Sequence, residues 1–548
     1  MVKSATPSMN HGARMPSPAL LDAPLQPAAA AGPLQRQVLQ RLKLAIMDGR
    51  LPPGARLPAS RELAAQLGIS RNTVLIAYEH LAAEGYVQAD RQGTRVAQLA
   101  APRTPGTPGT PDDAAASAAS TAIAQGRGTP SAGSPDDGGA RAPRPHDSHS
   151  PAASRDGMAT APRLAARVAT LAPAFAAGES GLPLRPGTPA LARFPVSAWR
   201  RSLDRALRAA PAAALGYGPP AGEPALRAAI AAHLGVSRGV RCTPDQVVVT
   251  DGAQQAISLC VRLLADPGET GWIENPGYRG ARSAFLAADL RVVPVPVDAE
   301  GLAAGHALWR DAPPRLIYVS PSHQYPTGAV LSAARRLDLI ARAAAHDTWI
   351  IEDDYDSEFR HQGEPIAAMQ GMVPDAPVLY VGTFSKTMFP ALRLGFAVLP
   401  AAIARPARAA LGELLRGGHR HAQLALADFI DSGQFARHLG RMRRLYRHRQ
   451  QALRAALARH LAVPHEVLGG YCGLHLTVRL PARHADRRIA LAAQALGMAP
   501  APLSGFALDG GAPDNGLVLG YGNTPVECID PLVRQLAAVI ARAGRDDA

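Results

Sequence analysis

Two stretches of this chain place anion-binding chemistry at the start of a helix. In the first, the apolar run QVVVT is followed by DGAQQAISLCVRLL, a turn opening into an amphipathic helix. The backbone amides of Gly252, Ala253 and Gln254 then face whatever anion lies before that helix. In the second, SRNTVLIAYEHL puts Val74, Ala77, Tyr78 and Leu81 on one face at i, i+3, i+4 and i+7, which leaves Arg71 and Asn72 near the exposed N-terminal end. A helix of this size fits the DNA major groove, its first amides attract phosphate, and arginine contacts guanine bidentately. A lone surface arginine is more often merely solvated, so the elements around these residues decide.

At 548 residues the chain is too long for one hydrophobic core, and length alone predicts several domains. Hydrophobic residues make up 47%, enough for buried cores, and no apolar run near 18 residues is free of charges or proline. The leader MVKSATPSMNHGARMPSPALLDAP has no sustained apolar segment before a cleavage site. No membrane association is therefore expected, and the expected location is the cytoplasm, at the nucleoid. The cysteines Cys242, Cys260, Cys472 and Cys528 are far apart, without metal-ligand spacing, and read as reduced structural thiols; no metal site is expected. A net charge of +14 favours polyanions, although an arginine-rich, alanine-rich composition gives the same excess without a partner.

Composition divides the chain. Residues 1–30 read as a disordered leader, and residues 98–163 shift to Ala, Pro, Gly, Ser and Thr, with the near-repeat RTPGTPGTPDD, a linker that cannot bury enough apolar surface to order itself. Its roughly 60 residues would span about 40 to 45 Å r.m.s.. Between them, in residues 31–97, Val38, Leu42 and Ala45 recur at helical spacing and Gly49 stops that helix. A second helix follows Pro58, with Ser60 as candidate N-cap and Gly68 in the break after it; the third starts at Ser70. GYVQADRQGTRVAQ then alternates through a turn containing Gly93, a short hairpin. Three helices and a hairpin make a winged helix. The stretch PGARLPASRELAAQLGISRNTVLIAYEHLAAEGYV resembles the GntR-type DNA-binding head over its whole length. That resemblance implies double-stranded operator contacts by Arg61 on the second helix, by Arg71, Asn72 and Thr73 on the recognition helix, and by Gln92 and Gly93 in the wing. Protein–protein docking is the alternative use of such a module.

In residues 164–548, strand-like runs (QVVVT, RLIYVSP, WIIED, VLYVGTF) alternate with helical stretches, the pattern of a parallel α/β sheet, and the polar motifs follow the C-terminal ends of those runs, where open α/β sheets bind ligands. The ordered set ENPGYRG, PSHQYPTG, IIEDDYDSEFR and VGTFSKTMFPALRLGF resembles fold type I aminotransferases, in the spelling of MocR/GabR-type regulators, over most of residues 185–525. The implied fold is a winged helix-turn-helix joined to an α/β aminotransferase-like domain, with a parallel-rich central sheet and a smaller C-terminal subdomain.

The resemblance implies pyridoxal 5'-phosphate as cofactor. Lys386 would carry it as an internal aldimine. Thr383, Ser385, Arg393 and the amides of Gly252, Ala253 and Gln254 would hold the phosphate. Asp353 would pair with the pyridine nitrogen, with Asp354 as the competing assignment; Tyr355 would contact the ring hydroxyl, Tyr278 would stack on the ring, and His323 would touch it. Tyr217 would reach the phosphate of a partner subunit, making the body a homodimer. One departure stands out. Where aminotransferases carry an arginine for the substrate α-carboxylate, this chain reads Gly516 to Tyr521 with none, and Arg279 or another basic residue would have to substitute. The expected function is a transcriptional regulator sensing an amine, an amino acid or pyridoxal phosphate itself through the aldimine at Lys386, without net turnover. The alternatives are an active aminotransferase with an accessory head and a cofactor-binding adaptor.

Overall fold

The computed structural model describes residues 34–47, 49–83, 86–90, 93–97, 165–169, 171, 181–361, 367–508 and 514–544. The leader, the linker and Gln92 lie outside the described residues.

The head comprises the helices Leu34–Met47, Ser60–Leu67 and Arg71–Ala83, followed by the antiparallel hairpin β1 (Val87–Asp90) and β2 (Gly93–Val96), with Val87 opposite Val96. The 3.6-residue periodicity drives this packing: Val38, Leu42 and Ala45 from the first helix, Leu63 from the second, and Val74, Ala77 and Leu81 from the third are all buried. Gly68 ends the second helix in the left-handed region, which glycine enters without a Cβ clash. Ser60 is not the N-cap that its position suggests. Ala59 holds that place without a side-chain cap, and Ser60, the first helical residue, accepts from Arg71 Nε of the third helix at 3.4 Å. Ser70 does cap the third helix, its Oγ accepting from the Thr73 amide at 3.1 Å.

The body has β3 (Val247–Thr250), β4 (Thr270–Asn275), β5 (Arg291–Asp298), β6 (Gly301–Leu302), β7 (Leu316–Val319), β8 (Trp349–Asp354), β9 (Val378–Thr383), β10 (Gly395–Val398), β11 (Glu466–Leu468), β12 (His475–Arg479), β13 (Ala501–Pro502) and β14 (Gly516–Gly520). The central sheet runs β3-β10-β9-β8-β7-β4-β5-β6. Its β9, β8, β7, β4 and β5 are parallel, while β10 pairs antiparallel with both β9 and β3. Strands covered on both faces need apolar side chains on both faces, which is why β7 (LIYV) and β3 (VVVT) read as continuous apolar runs and are buried throughout. The antiparallel sheet β11-β12-β14-β13 forms the smaller C-terminal subdomain with the helices Asp486–Ala495 and Val526–Ala543. Among the described residues, no helix is long and apolar enough to cross a membrane.

Candidate functional site

The site of the body is built where β3, β7, β8 and β9 end. After β3, Gly252 takes φ +89°, a conformation that favours glycine, and turns the chain into the helix Ala253–Leu264, so the first amides, including those of Ala253 and Gln254, have no carbonyl partner within that helix. Arg393, itself left-handed at φ +52°, donates from Nη2 to the Asp251 carbonyl at 2.6 Å, and its guanidinium lies about 3.5 Å from where a Gly252 Cβ would stand. Thr383 Oγ1 accepts the Ser385 amide at 3.2 Å and lies 3.1 Å from Ser385 Oγ. Guanidinium, hydroxyls and helix amides form a cradle of donors suited to a phosphate.

Strand alternation sorts the three acids that end β8. Glu352 accepts the amides of Met369 and Gln370 at 2.9 and 3.0 Å. Asp354, two residues on and therefore on the same face, pairs with Arg238 Nε at 2.7 Å and accepts from Tyr380 Oη at 2.6 Å. Asp353 points to the opposite face. Its Oδ2 accepts from Tyr318 Oη at 2.6 Å, while its buried Oδ1 has no partner among the described residues, and burial pushes its pKa up to about 7. Of the two competing aspartates, only Asp353 offers an uncommitted carboxylate oxygen.

Lys386 follows β9, and its Nζ donates to the Gly187 carbonyl at 2.7 Å. Burial lowers its pKa, against the pull of Asp356 and Asp353, so the amine is shifted toward the neutral, nucleophilic form. Tyr355 Oη donates to the His323 carbonyl at 2.9 Å. His323 Nδ1 faces Asp356 at 2.9 Å, its Nε2 is buried without a partner among the described residues, and its ring packs on His475 at 4.6 Å. Tyr278 is half-buried, stacked on Tyr318 at 6.3 Å, and held by burial at a pKa of about 12. The structure thus brings together the residues expected to hold the cofactor, with Asp354 turned to the other face of β8 and Tyr217, 96% exposed, outside its own chain's cleft.

The fit to a pyridine aldehyde phosphate rests on three observations: an orphaned Asp353 oxygen for a ring nitrogen, a shielded lysine amine for the aldehyde, and a donor-rich cradle for the phosphate. Sequence reasoning missed Asp356, which follows Tyr355 within the quoted motif, and Tyr318, His475, Arg238 and the carbonyl of Gly187, which belong to other segments and meet the site through the fold. The alternation of Glu352, Asp353 and Asp354 was the signal that separates the paired aspartates.

A pH effect follows. An unfolded aspartate titrates near 3.9, so in the cofactor-free protein Asp353 binds a proton more tightly when folded, and stability falls as pH rises from about 4 to about 7. Asp353→Asn removes that charge. Thermal melts of cofactor-free protein should find the variant closest to wild type at about pH 4 and more stable by a few degrees at pH 8. A difference that does not change with pH would contradict the burial of a charged Asp353.

In the head, Arg71 and Asn72 open the third helix and are exposed, Thr73 is partly exposed with its hydroxyl 2.8 Å from Ser70 Oγ, and Arg61 is exposed on the second helix. Gly93 opens β2 at φ +130°, where a Cβ would stand 2.9 Å from Arg56 Nε. Arg56 and Arg95, bridged through their backbones, add basic charge beside the hairpin that sequence reasoning did not single out.

Comparison with known proteins matches residues 34–96 to the family of bacterial regulatory proteins of the gntR type and residues 184–485 to aminotransferase class I and II. The chain is 38% identical over 500 residues, 91% of each chain, to the probable rhizopine catabolism regulatory protein MocR of Rhizobium meliloti. It is 32% identical over 487 residues, 89% of this chain and 91% of the other, to the pyridoxine biosynthesis transcriptional regulator PdxR of Corynebacterium glutamicum. Among solved structures it is similar to the α-aminoadipate aminotransferase LysN of Thermus thermophilus, complexed with N-(5'-phosphopyridoxyl)-L-leucine, with a TM-score of 0.61 and 27% identity over 69% of this chain and 95% of that one.

Proposed function

We propose, for a chain that belongs to the aminotransferase class I and II family and to the MocR-type gntR regulators, a DNA-binding transcriptional regulator whose body holds pyridoxal 5'-phosphate and answers to a small amine, amino acid or the cofactor itself. The observation that carries this reading is the convergence of a free Asp353 oxygen, the Lys386 amine and a donor-rich cradle in a chain that also has the three helices and hairpin of a winged helix.

In this reading, residues 31–97 are the DNA-binding head, residues 98–163 the linker and residues 164–548 the sensing and dimerising body. Bound in the cleft, the cofactor supplies an aldehyde that captures amines and a ring that withdraws electrons. Lys386 attaches it, Asp353 keeps the ring nitrogen protonated, Tyr355 and His323 border the ring edge and Tyr278 covers its face. Thr383, Ser385, Arg393 and the amides of Gly252, Ala253 and Gln254 hold the phosphate. Tyr217, turned to solvent in its own chain, would reach the phosphate in the cleft of a partner subunit. The regulator works on chromosomal DNA in the cytoplasm, with half-sites about 34–36 Å apart or a multiple of that distance. A transaminase reading predicts steady product from amino acid and keto acid; the regulator reading predicts little.

Arg71→Ala tests the head. Losing one base-edge or phosphate contact should weaken binding to the DNA upstream of this gene and its neighbours by about 1–3 kcal/mol, or lower the salt slope by about one. The bound cofactor's absorbance should not change, because Arg71 belongs to the head. Unaltered affinity and salt dependence in a gel-shift series would remove Arg71 from the interface.

A further inference from the structure

A second cleft, of about 230 Å³, lies beside Tyr325, with Arg185, Arg279, Gln494 and Phe506 in its wall. Among the described residues lining it there is no carboxylate. Arg185 Nη1 is shut off from solvent and has no hydrogen-bond partner among the described residues. Arg279 opens the helix Arg279–Ala287, and burial, then the neighbouring Arg282 and Arg487, lowers its pKa. Two cations facing one cleft without a counter-charge leave a site that an anion would satisfy. A guanidinium's planar fork matches a carboxylate or a sulfonate.

The cleft adjoins the amine. Gly187, two residues beyond Arg185, provides the carbonyl that accepts from Lys386 Nζ at 2.7 Å, and Arg185 is near enough for its charge to oppose protonation of Lys386. Backbone pairing sets this position: Leu184 forms an antiparallel bridge with Gly520 at the end of β14, and the Gly520 amide donates to the Leu184 carbonyl at 2.8 Å. The strand β14 itself, GLVLG, carries no arginine. The cation missing from β14 is supplied by the segment bridged to it.

We infer that Arg185, with Arg279 beside it, binds the acidic group of the effector, so that the effector is an amino acid or amino sulfonate and not a plain amine. This rests on the amine-sensing reading above. Binding would bring the amine toward Lys386 while the acid neutralises Arg185.

The test uses the full-length chain loaded with pyridoxal phosphate. The absorbance of the bound cofactor is titrated with L-alanine, β-alanine, 4-aminobutyrate and taurine, and with ethylamine and propylamine as counterparts lacking the acid. Wild type should half-saturate with at least one acid-bearing amine at a concentration about 10- to 100-fold below that of its counterpart, the range of one charge-assisted contact. Carboxylate and sulfonate arms show which acid is preferred. Arg185→Gln should erase the preference: because the Arg185 charge also acts on Lys386, acid-bearing and plain-amine titrations shift together, but the gap between them closes, and Arg185→Lys should reopen part of it. The cofactor-free Arg185→Gln protein should melt no lower than wild type, since an orphaned guanidinium has been removed. Loss of several degrees would make Arg185 a structural residue and overturn the inference, as would an unchanged preference in Arg185→Gln or none in wild type. A wild-type chain that takes up no cofactor would overturn the sensing reading along with this one; a loaded chain blind to the acid overturns only this one.

Discussion

Lys386→Ala protein is expected to be colourless after gel filtration, to retain no cofactor after borohydride reduction, and to show no effector-dependent transcription. The lysine amine sits in a pocket where burial lowers its pKa, and it donates to the Gly187 carbonyl. Alanine leaves the Arg393 cradle and the Asp353 oxygen in place, so residual uptake of pyridoxal phosphate would be non-covalent. The expected loss is about two decades of affinity or more, equivalent to roughly 3 kcal/mol. Operator binding in a gel shift should survive, since the head buries its own core of Val38, Leu42, Leu63, Val74 and Leu81. Normal effector-dependent transcription by the alanine variant would mean that attachment at Lys386 is not the switch, and sensing would then have to be non-covalent.

The head was readable because its determinants are local. Helical periodicity placed Val74, Ala77, Tyr78 and Leu81 in the core, and Ser70 caps its helix as its position suggests. The second helix departs by one residue, because the Ser60 hydroxyl is taken by Arg71 across the turn, a tertiary contact that spacing does not reveal. In the body the motifs gave the ends of β3, β7, β8 and β9, but the partners that orient them come from far along the chain. Tyr318 reaches Asp353 from 35 residues away, Arg238 reaches Asp354 from 116, and Gly187 reaches Lys386 from 199. Arg185 was invisible for the same reason. A sequence search for a carboxylate-binding arginine looks along β14, whereas the structure brings one in through the bridge between Leu184 and Gly520.

Arg238→Met should be the most destabilising single change in the body. Arg238 ends the helix Pro224–Arg238 and is buried along its full length, donating from Nε to Asp354 at 2.7 Å and from Nη2 to Ser322 Oγ at 2.7 Å. Methionine keeps the apolar volume but leaves the Asp354 carboxylate uncompensated in a site only 3% exposed. Breaking a buried pair from one side costs about 3–5 kcal/mol, whereas replacing both partners is often close to neutral. Denaturant unfolding of the full chain should therefore show a large loss in Arg238→Met and substantial recovery when Asp354→Asn is added, since the asparagine can keep the Tyr380 contact without a charge. Function should follow stability, because Asp354 anchors the end of β8 on one face and thereby aims Asp353 at the other. Cofactor affinity should fall in Arg238→Met and return with the second substitution. A single variant within about 1 kcal/mol of wild type, the spread common for surface changes, would show that the pair does not hold β8, and the aim of Asp353 would then depend on Tyr318 alone.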